Sequence, residues 1–313
     1  MIGIETKIKS VMLGHAIGDA IGVPVEFYSR EELKSDPVKS MEGGGTYSLP
    51  AGCWSDDTSM SLCALESLSG GKIDWDEIVS NFGKWYYNGE YTPTGVTFDV
   101  GNTCSFAIEN YFEDHKSVKE CGLVNECSNG NGSLMRIHPF VLYAYTKNIS
   151  FYNGWDKLIS DASALTHSHA RSKLACLIYT FILMQLLEEG SIESVRLGIS
   201  RAALHLSLHP EYHHFMRIFD SDFEKLPEEM IKSGGYVVDT LEASLWCLLT
   251  TKSYEECVLK AVNLGDDTDT VTAIAGGLAG ALYGFDSIPA KWLNTLKRKD
   301  YIENICVRAA NTW

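Results

Sequence analysis

The sequence predicts an all-α fold in a single domain spanning residues 1–313, and three observations carry that prediction. Apolar residues recur at helical spacing from end to end, as in Met60-Ala64-Leu68, Leu174-Ile178-Ile182 and Leu241-Leu245-Leu249. Alternating runs bounded by hairpin turns are scarce. The polar and glycine-rich connections, at 28–53, 88–103, 121–133 and 220–236, contain no Pro/Ser-rich linker, low-complexity tract or fixed-period repeat that would mark a boundary. With 313 residues, 45% of them hydrophobic, the chain is long enough to bury a large core.

Composition excludes some classes of function. The chain carries 26 Lys+Arg against 41 Asp+Glu, a formal net charge of -15, which repels phosphate backbones and anionic lipid and argues against non-specific nucleic-acid or membrane binding. Nine cysteines are scattered and odd in number, and several lie in apolar helical runs, so they read as reduced core residues of a cytoplasmic protein. The first ten residues resemble neither a signal peptide nor an anchor. No apolar run reaches the roughly 18 residues expected of a spanning helix.

Taken in order, the first helix places Gly14, Gly18 and Gly22 at every fourth position. That spacing leaves a bare backbone stripe on one face, costs helix propensity, and permits another helix to approach closely. The small-residue run 273–282 has the same character, and the two segments are expected to cross at the core. Ser55-Asp56-Asp57-Thr58 precedes the amphipathic run 60–68. A serine cap followed by first-turn acids is an ordinary helix start, and it is equally a set of oxygen ligands. Asp99 is a single acid in the uncharged stretch 97–103, suited to accepting backbone amides or to facing a cationic group.

Asn129-Gly130-Asn131-Gly132-Ser133 leads into the apolar run 134–145. Its amides therefore make either a simple turn or an anion site at a helix N-terminus, with Arg136 one turn inside. Thr166-His167-Ser168-His169 precedes the apolar helix 174–187, where a histidine serves as a cap, a stacking group or an acid–base group. His205 and His209 have ligand spacing but are interrupted by Pro210 and read as surface residues. Tyr236 opens the helix 241–249 after two glycines, as core or as a stacking ring.

Asp266-Asp267-Thr268-Asp269-Thr270 then starts a helix near Val271, with three carboxylates in four residues. That density exceeds what capping needs, and a hard cation relieves the repulsion. Magnesium and manganese favour oxygen ligands, and two adjacent ions need about a dozen ligand positions, of which the two Asp/hydroxyl clusters supply about half. Zinc fits less well because Cys-x-x-Cys and His-Glu-x-x-His are absent. So are the nucleophile elbow, the P-loop and Gly-x-Gly-x-x-Gly.

Four segments together resemble the ADP-ribosylglycohydrolase family: Gly18-Asp19-Ala20-Ile21-Gly22-Val23-Pro24-Val25-Glu26-Phe27, Trp54-Ser55-Asp56-Asp57-Thr58, Gly130-Asn131-Gly132-Ser133-Leu134-Met135-Arg136 and Gly265-Asp266-Asp267-Thr268-Asp269-Thr270. The stretch 235–243 is most similar to the bacterial branch typified by dinitrogenase reductase-activating glycohydrolase. The resemblance implies a single compact orthogonal helical bundle with a two-metal site between helices. It assigns Ser55, Asp56, Asp57, Asp267, Asp269 and Thr270 as ligands of two divalent cations, Mg²⁺ or Mn²⁺. It makes Glu26 and Asp99 the catalytic acids, Asp99 facing a guanidinium in the arginine-specific branch. Gly130, Asn131, Gly132, Ser133, Met135 and Arg136 would follow the ADP-ribose phosphates, with His167 and Tyr236 at the ribose and adenine ends.

The expected activity is release of mono-ADP-ribose from a modified protein, from arginine in the first instance. The alternatives are a serine or nucleic-acid linkage, or a non-catalytic protein that binds ADP-ribose or a toxin partner. Two departures from the family's pattern are Ser55, where threonine is usual, and Asp266, where glycine is common.

Overall fold

A computed structural model describes residues 3–313, and every regular element among them is helical. In chain order the α-helices are α1 (Ile4–Gly22), α2 (Arg30–Ser35), α3 (Asp56–Leu68), α4 (Trp75–Asn88) and α5 (Asn102–Phe112). After a long connection come α6 (His138–Thr146), α7 (Trp155–Ala164), α8 (Ala170–Glu189) and α9 (Ile192–Leu206). The C-terminal part supplies α10 (Val237–Leu249), α11 (Tyr254–Val262), α12 (Thr268–Tyr283), α13 (Ala290–Thr295) and α14 (Lys299–Thr312). One continuous apolar cluster draws residues from α1 through α14.

The glycine stripe of α1 packs against α12 as its spacing predicts. A Cβ on Gly18 would lie 2.2 Å from the Thr272 carbonyl oxygen, so the two backbones touch where any side chain would separate them. Tyr254 of α11 extends the contact by donating to the Gly14 carbonyl at 2.7 Å, a buried phenol using a backbone acceptor. This crossing brings the C-terminal end of α1 to the N-terminal start of α12.

Two expectations need correction. α8, twenty residues long, is apolar enough by length and composition to cross a membrane. Most of it is buried, so its apolarity is spent on the protein core. The apolar run expected as a helix over 134–145 becomes helical only at His138, and residues 129–137 form turns. Pro139 explains the late start: inside a helix begun at 134 its ring would meet the carbonyl of Met135, whereas in the first turn it is tolerated.

Only isolated β-bridges occur among the described residues, and two of the three, Leu123 with His167 and Gly130 with Tyr236, pin the long connection to the starts of α8 and α10.

Candidate functional site

Two helix starts converge here. Ser55 caps α3, its hydroxyl accepting from the Asp57 amide at 3.3 Å, and Asp56 and Asp57 occupy the first turn, where the positive end of the helix dipole favours carboxylates. α12 begins at Thr268, three residues before the position the sequence suggested, so Asp269 and Thr270 lie in its first turn and Asp267 is its N-cap. Asp267 makes no side-chain capping bond; its Oδ2 accepts from the Asn131 amide group at 2.9 Å. The hydroxyls of Ser55 and Thr270 both donate to Asp57 Oδ2, at 3.0 and 3.2 Å, and so join the two clusters. Serine thus supplies the oxygen that the family's threonine would.

Carboxylate oxygens of Asp19, Asp57 and Asp269 lie within 4.8 Å of one another, as do those of Glu26, Asp99 and Asp269. Asp269 belongs to both groups. Burial, reinforced by neighbouring acids, pushes Asp56, Asp57 and Asp269 well above the ordinary carboxylate range. Burial and then Asp99 push Glu26 up to about 9. Asp57 Oδ1, Asp269 Oδ2 and Glu26 Oε2 are buried without a hydrogen-bond partner. Buried acceptors left unpaired are costly, and repelling carboxylates with free lone pairs are the donor set a hard divalent cation satisfies. These donors fit magnesium or manganese, and none is a thiolate or imidazole that would select zinc.

The raised values set the sign of a pH effect. A carboxyl whose folded pKa is raised binds protons more tightly in the folded protein, so its contribution is present at low pH and is lost as pH climbs toward the folded value. Glu26, moved from 4.5 to about 9, places that window between those limits. In chelator, the melting temperature should therefore fall as pH rises from 5 to 9, and added Mg²⁺ or Mn²⁺ should restore it most at the alkaline end. Calorimetric melts across that range check this; a chelated protein that gains stability with pH would contradict it.

Two contributing residues escaped the sequence reading. Asp19, fully buried in α1, accepts from the Ser55 amide at 2.8 Å and from the Thr58 amide and hydroxyl at 3.0 and 2.6 Å, so α1 holds the start of α3 in place. Its signal was available, because a lone acid among the glycines of a core helix must serve a partner. Tyr47 had no such signal. Its phenol is pushed well above its ordinary value by burial and by Asp99 and Glu26. Its ring packs against Phe98 at 4.9 Å, and Asp99 beside it is held in the left-handed region at φ +52°.

A pocket of about 450 Å³ opens over these acids. Its walls are Glu26, Asp56, Asp99, Asp267 and Thr270 together with Gly130, Asn131, Gly132, Met135 and His167, and the two sets meet where Asn131 donates to Asp267. The glycine loop is fastened by the Asn131 amide donating to Gly235 O at 3.1 Å and the Val237 amide donating to Asn129 O at 3.0 Å. With α6 starting only at His138, this wall is a turn and not the first turn of that helix. His167 is buried and held near 3, first by burial and then by Arg136, so its imidazole is neutral at the pocket wall.

Two of the residues expected to touch substrate stand behind that wall, and a third lies off it. Arg136 is wholly buried; its guanidinium donates to Ala162 O at 3.1 Å and Thr166 Oγ1 at 2.8 Å, which is the order expected of a buried cation that must be paired inward. Thr166 Oγ1 in turn meets His167 Nδ1 at 2.8 Å, so Arg136 reaches the pocket only through His167. Ser133 is buried against Ser163 and Cys176. Tyr236 is the N-cap of α10, its ring 5.9 Å from the Arg171 guanidinium, and it is not on the pocket wall.

Asp266 has a backbone explanation. It adopts φ +63°, a conformation that glycine takes freely and aspartate tolerates better than most residues. The side chain is exposed in a separate hollow with Arg30, Lys232 and Asp239, so it adds no ligand to the central cluster. Gly265 before it has no such latitude, since a Cβ there would lie 2.6 Å from the Arg30 amide nitrogen.

Comparison with known proteins turns this geometry into a family assignment. The family model described as ADP-ribosylglycohydrolase matches residues 2–313. The chain belongs to the ADP-ribosylglycohydrolase family. Members at comparable similarity include the ADP-ribosylarginine hydrolase Tri1 of Serratia proteamaculans, 35% identical over 96% of this chain and 77% of that protein. Another is the ADP-ribosyl-[dinitrogen reductase] glycohydrolase of Rhodospirillum rubrum, 31% identical over 95% of this chain and 92% of that one. A solved structure titled ADP-ribosylglycohydrolase-related protein complex superimposes with a TM-score of 0.83 at 30% identity, covering 100% of this chain and 99% of the other. The bacterial relationship therefore includes the arginine-hydrolase branch as well as the dinitrogenase-reductase branch that the stretch 235–243 resembles. Hydrolysis of an ADP-ribosyl linkage is the family activity, and the acid-lined pocket has carboxylate clusters able to hold a metal ion.

Proposed function

We propose that the protein hydrolyses the N-glycosidic bond of ADP-ribosyl-arginine on a modified protein, using two divalent cations, Mg²⁺ or Mn²⁺. The observation that carries this reading is Asp99, an acid on the pocket wall with a carboxylate oxygen within 4.8 Å of those of Glu26 and Asp269. A planar guanidinium is the leaving group that such an acid holds best. Similarity to ADP-ribosylarginine hydrolases of Serratia proteamaculans and Pseudomonas putida, at 35% and 33% identity, supports it. Nine free cysteines support work in a reducing compartment, the cytoplasm.

Ser55, Asp56, Asp57, Asp267, Asp269 and Thr270 would hold the cations, with Asp269 common to both acidic groups. When bound, the cations supply Lewis acidity and compensate the clustered negative charge. The remaining work falls to side chains. The Gly130 and Gly132 amides and neutral His167 hold the diphosphate end, orienting the sugar toward the acids. Glu26, with Oε2 free of protein partners and ionised once bound cations would offset the neighbouring acids, takes a proton from water as the water oxygen bonds to the anomeric carbon. The carbon–nitrogen bond breaks through an oxocarbenium-like state that the surrounding carboxylates stabilise. Asp99 holds the departing guanidine, which recovers the proton that Glu26 removed.

The test is ADP-ribose release from arginine-linked and serine-linked substrates in parallel, with cation and with chelator. Cation-dependent release from arginine is expected, and Asp99→Asn should lower kcat/KM on that substrate by about a hundredfold, the scale of losing a positioned acid–base group. Preferential release from serine would overturn the arginine reading. Binding of ADP-ribose without turnover would replace it with a binding role toward ADP-ribose or a toxin.

A further inference from the structure

We infer that Phe27 is a specificity-determining residue, a stacking platform for the guanidinium side of the substrate; this rests on the arginine reading above. Phe27 follows the buried Glu26 directly, yet it is 68% exposed and lines the pocket. Its backbone stands at φ +68°, a left-handed conformation that is an outlier for a bulky residue. Two reciprocal backbone bonds hold it there: the Phe27 amide donates to Asp266 O at 2.7 Å, and the Asp266 amide donates to Tyr28 O at 2.8 Å. Asp266 is itself left-handed, so both strained residues are fixed by each other.

The consequence is directional. An aromatic ring normally gains free energy by burial, and a strained backbone relaxes unless its surroundings over-determine it. Here both tendencies are resisted at one residue, and the result is an exposed ring on a pinned backbone, next in sequence to Glu26 and lining the same pocket as Glu26 and Asp99. Gly130, Gly132 and His167, the proposed diphosphate holders, line the same pocket. The group that leaves the sugar beside the acids is a planar cation on an aliphatic arm, and guanidinium stacks on aromatic faces. Asp99 then supplies the charge partner and Phe27 the face, which together discriminate arginine from a small neutral leaving group such as serine.

Steady-state kinetics on free ADP-ribosyl-arginine, together with product inhibition by ADP-ribose, test this. Phe27→Ala should raise KM for ADP-ribosyl-arginine about five- to tenfold, matching a partly desolvated cation–aromatic contact, while the inhibition constant for ADP-ribose moves less than about twofold. Phe27→Tyr, which keeps the face, should stay within about twofold of wild type on both measures. If KM and the ADP-ribose inhibition constant weaken together, the ring serves the nucleotide and the inference is overturned. It is equally overturned if neither moves, or if Phe27→Tyr behaves like Phe27→Ala. A wild-type enzyme that fails on ADP-ribosyl-arginine sinks the arginine reading itself, and this inference with it, so the two failures are told apart by the wild-type control.

Discussion

Asp269→Ala should abolish cation-dependent hydrolysis, lowering kcat/KM by about a thousandfold or more, because removing Lewis-acid assistance forfeits several kcal/mol of transition-state stabilisation. Asp269 is the residue common to both acidic groups, so its loss disturbs both at once. The stability readout moves in the opposite sense from most core truncations. In the metal-free protein, Asp269 is a buried carboxylate pushed upward by burial and by Asp99, Glu26, Asp57 and Asp267, with one oxygen unpaired. Alanine removes that repulsion, so the variant in chelator should melt no lower than wild type. Wild type should gain from Mg²⁺ or Mn²⁺ by linkage, roughly 2.7 kcal/mol when cation exceeds its dissociation constant a hundredfold, and the variant should gain little. Melting curves with and without cation check both statements. A variant that keeps its cation-induced shift and its turnover would remove Asp269 from the site.

Gly18→Ala should cost about 3 kcal/mol or more of stability, the upper range for overpacking, and lower the melting temperature by on the order of 5 °C. The size follows from the contact: the new Cβ would lie 2.2 Å from Thr272 O and 2.7 Å from Thr272 C, backbone atoms that cannot swing aside as a side chain would. In an exposed helix the same substitution would stabilise by roughly 1 kcal/mol, so the sign of the change tests the close crossing. α1 must move away from α12, and Asp269 lies one turn before Thr272. Weaker cation binding should accompany the loss of stability. Urea unfolding and calorimetric titration with Mn²⁺ measure the two, and an unchanged midpoint would show that the helices tolerate separation.

Much of this was legible in the chain because its causes are local. The periodic apolar positions of α3, α8 and α10, the serine cap at Ser55 and the first-turn acids of α12 each follow from residues within a turn or two of one another. The glycine spacing of α1 likewise announced a close helix partner, though it did not name the depth of contact. The late start of α6 was readable from Pro139, and the apolar run before it obscured the signal. Asp266 was unreadable as a departure until its φ was known, since only the backbone tells whether a replaced glycine means a new ligand or a tolerated turn.

Asp19 and Arg136 mark where local reading runs out. Asp19 acts on Ser55 and Thr58, 36 and 39 residues away, and Arg136 is bound by Ala162 and Thr166, 26 and 30 residues away. A glycine loop with a nearby arginine has the composition of a phosphate site, but a guanidinium goes where buried carbonyls and hydroxyls await it, and here they lay beneath the wall. Residue type and spacing therefore pointed to the helices and the acidic helix starts, since each depends on short-range periodicity and on charge density along the chain. Which oxygens are left unpaired, which face Phe27 presents, and which polar residues line the pocket arose only when distant segments packed, because hydrogen-bond partners and burial are properties of that packing.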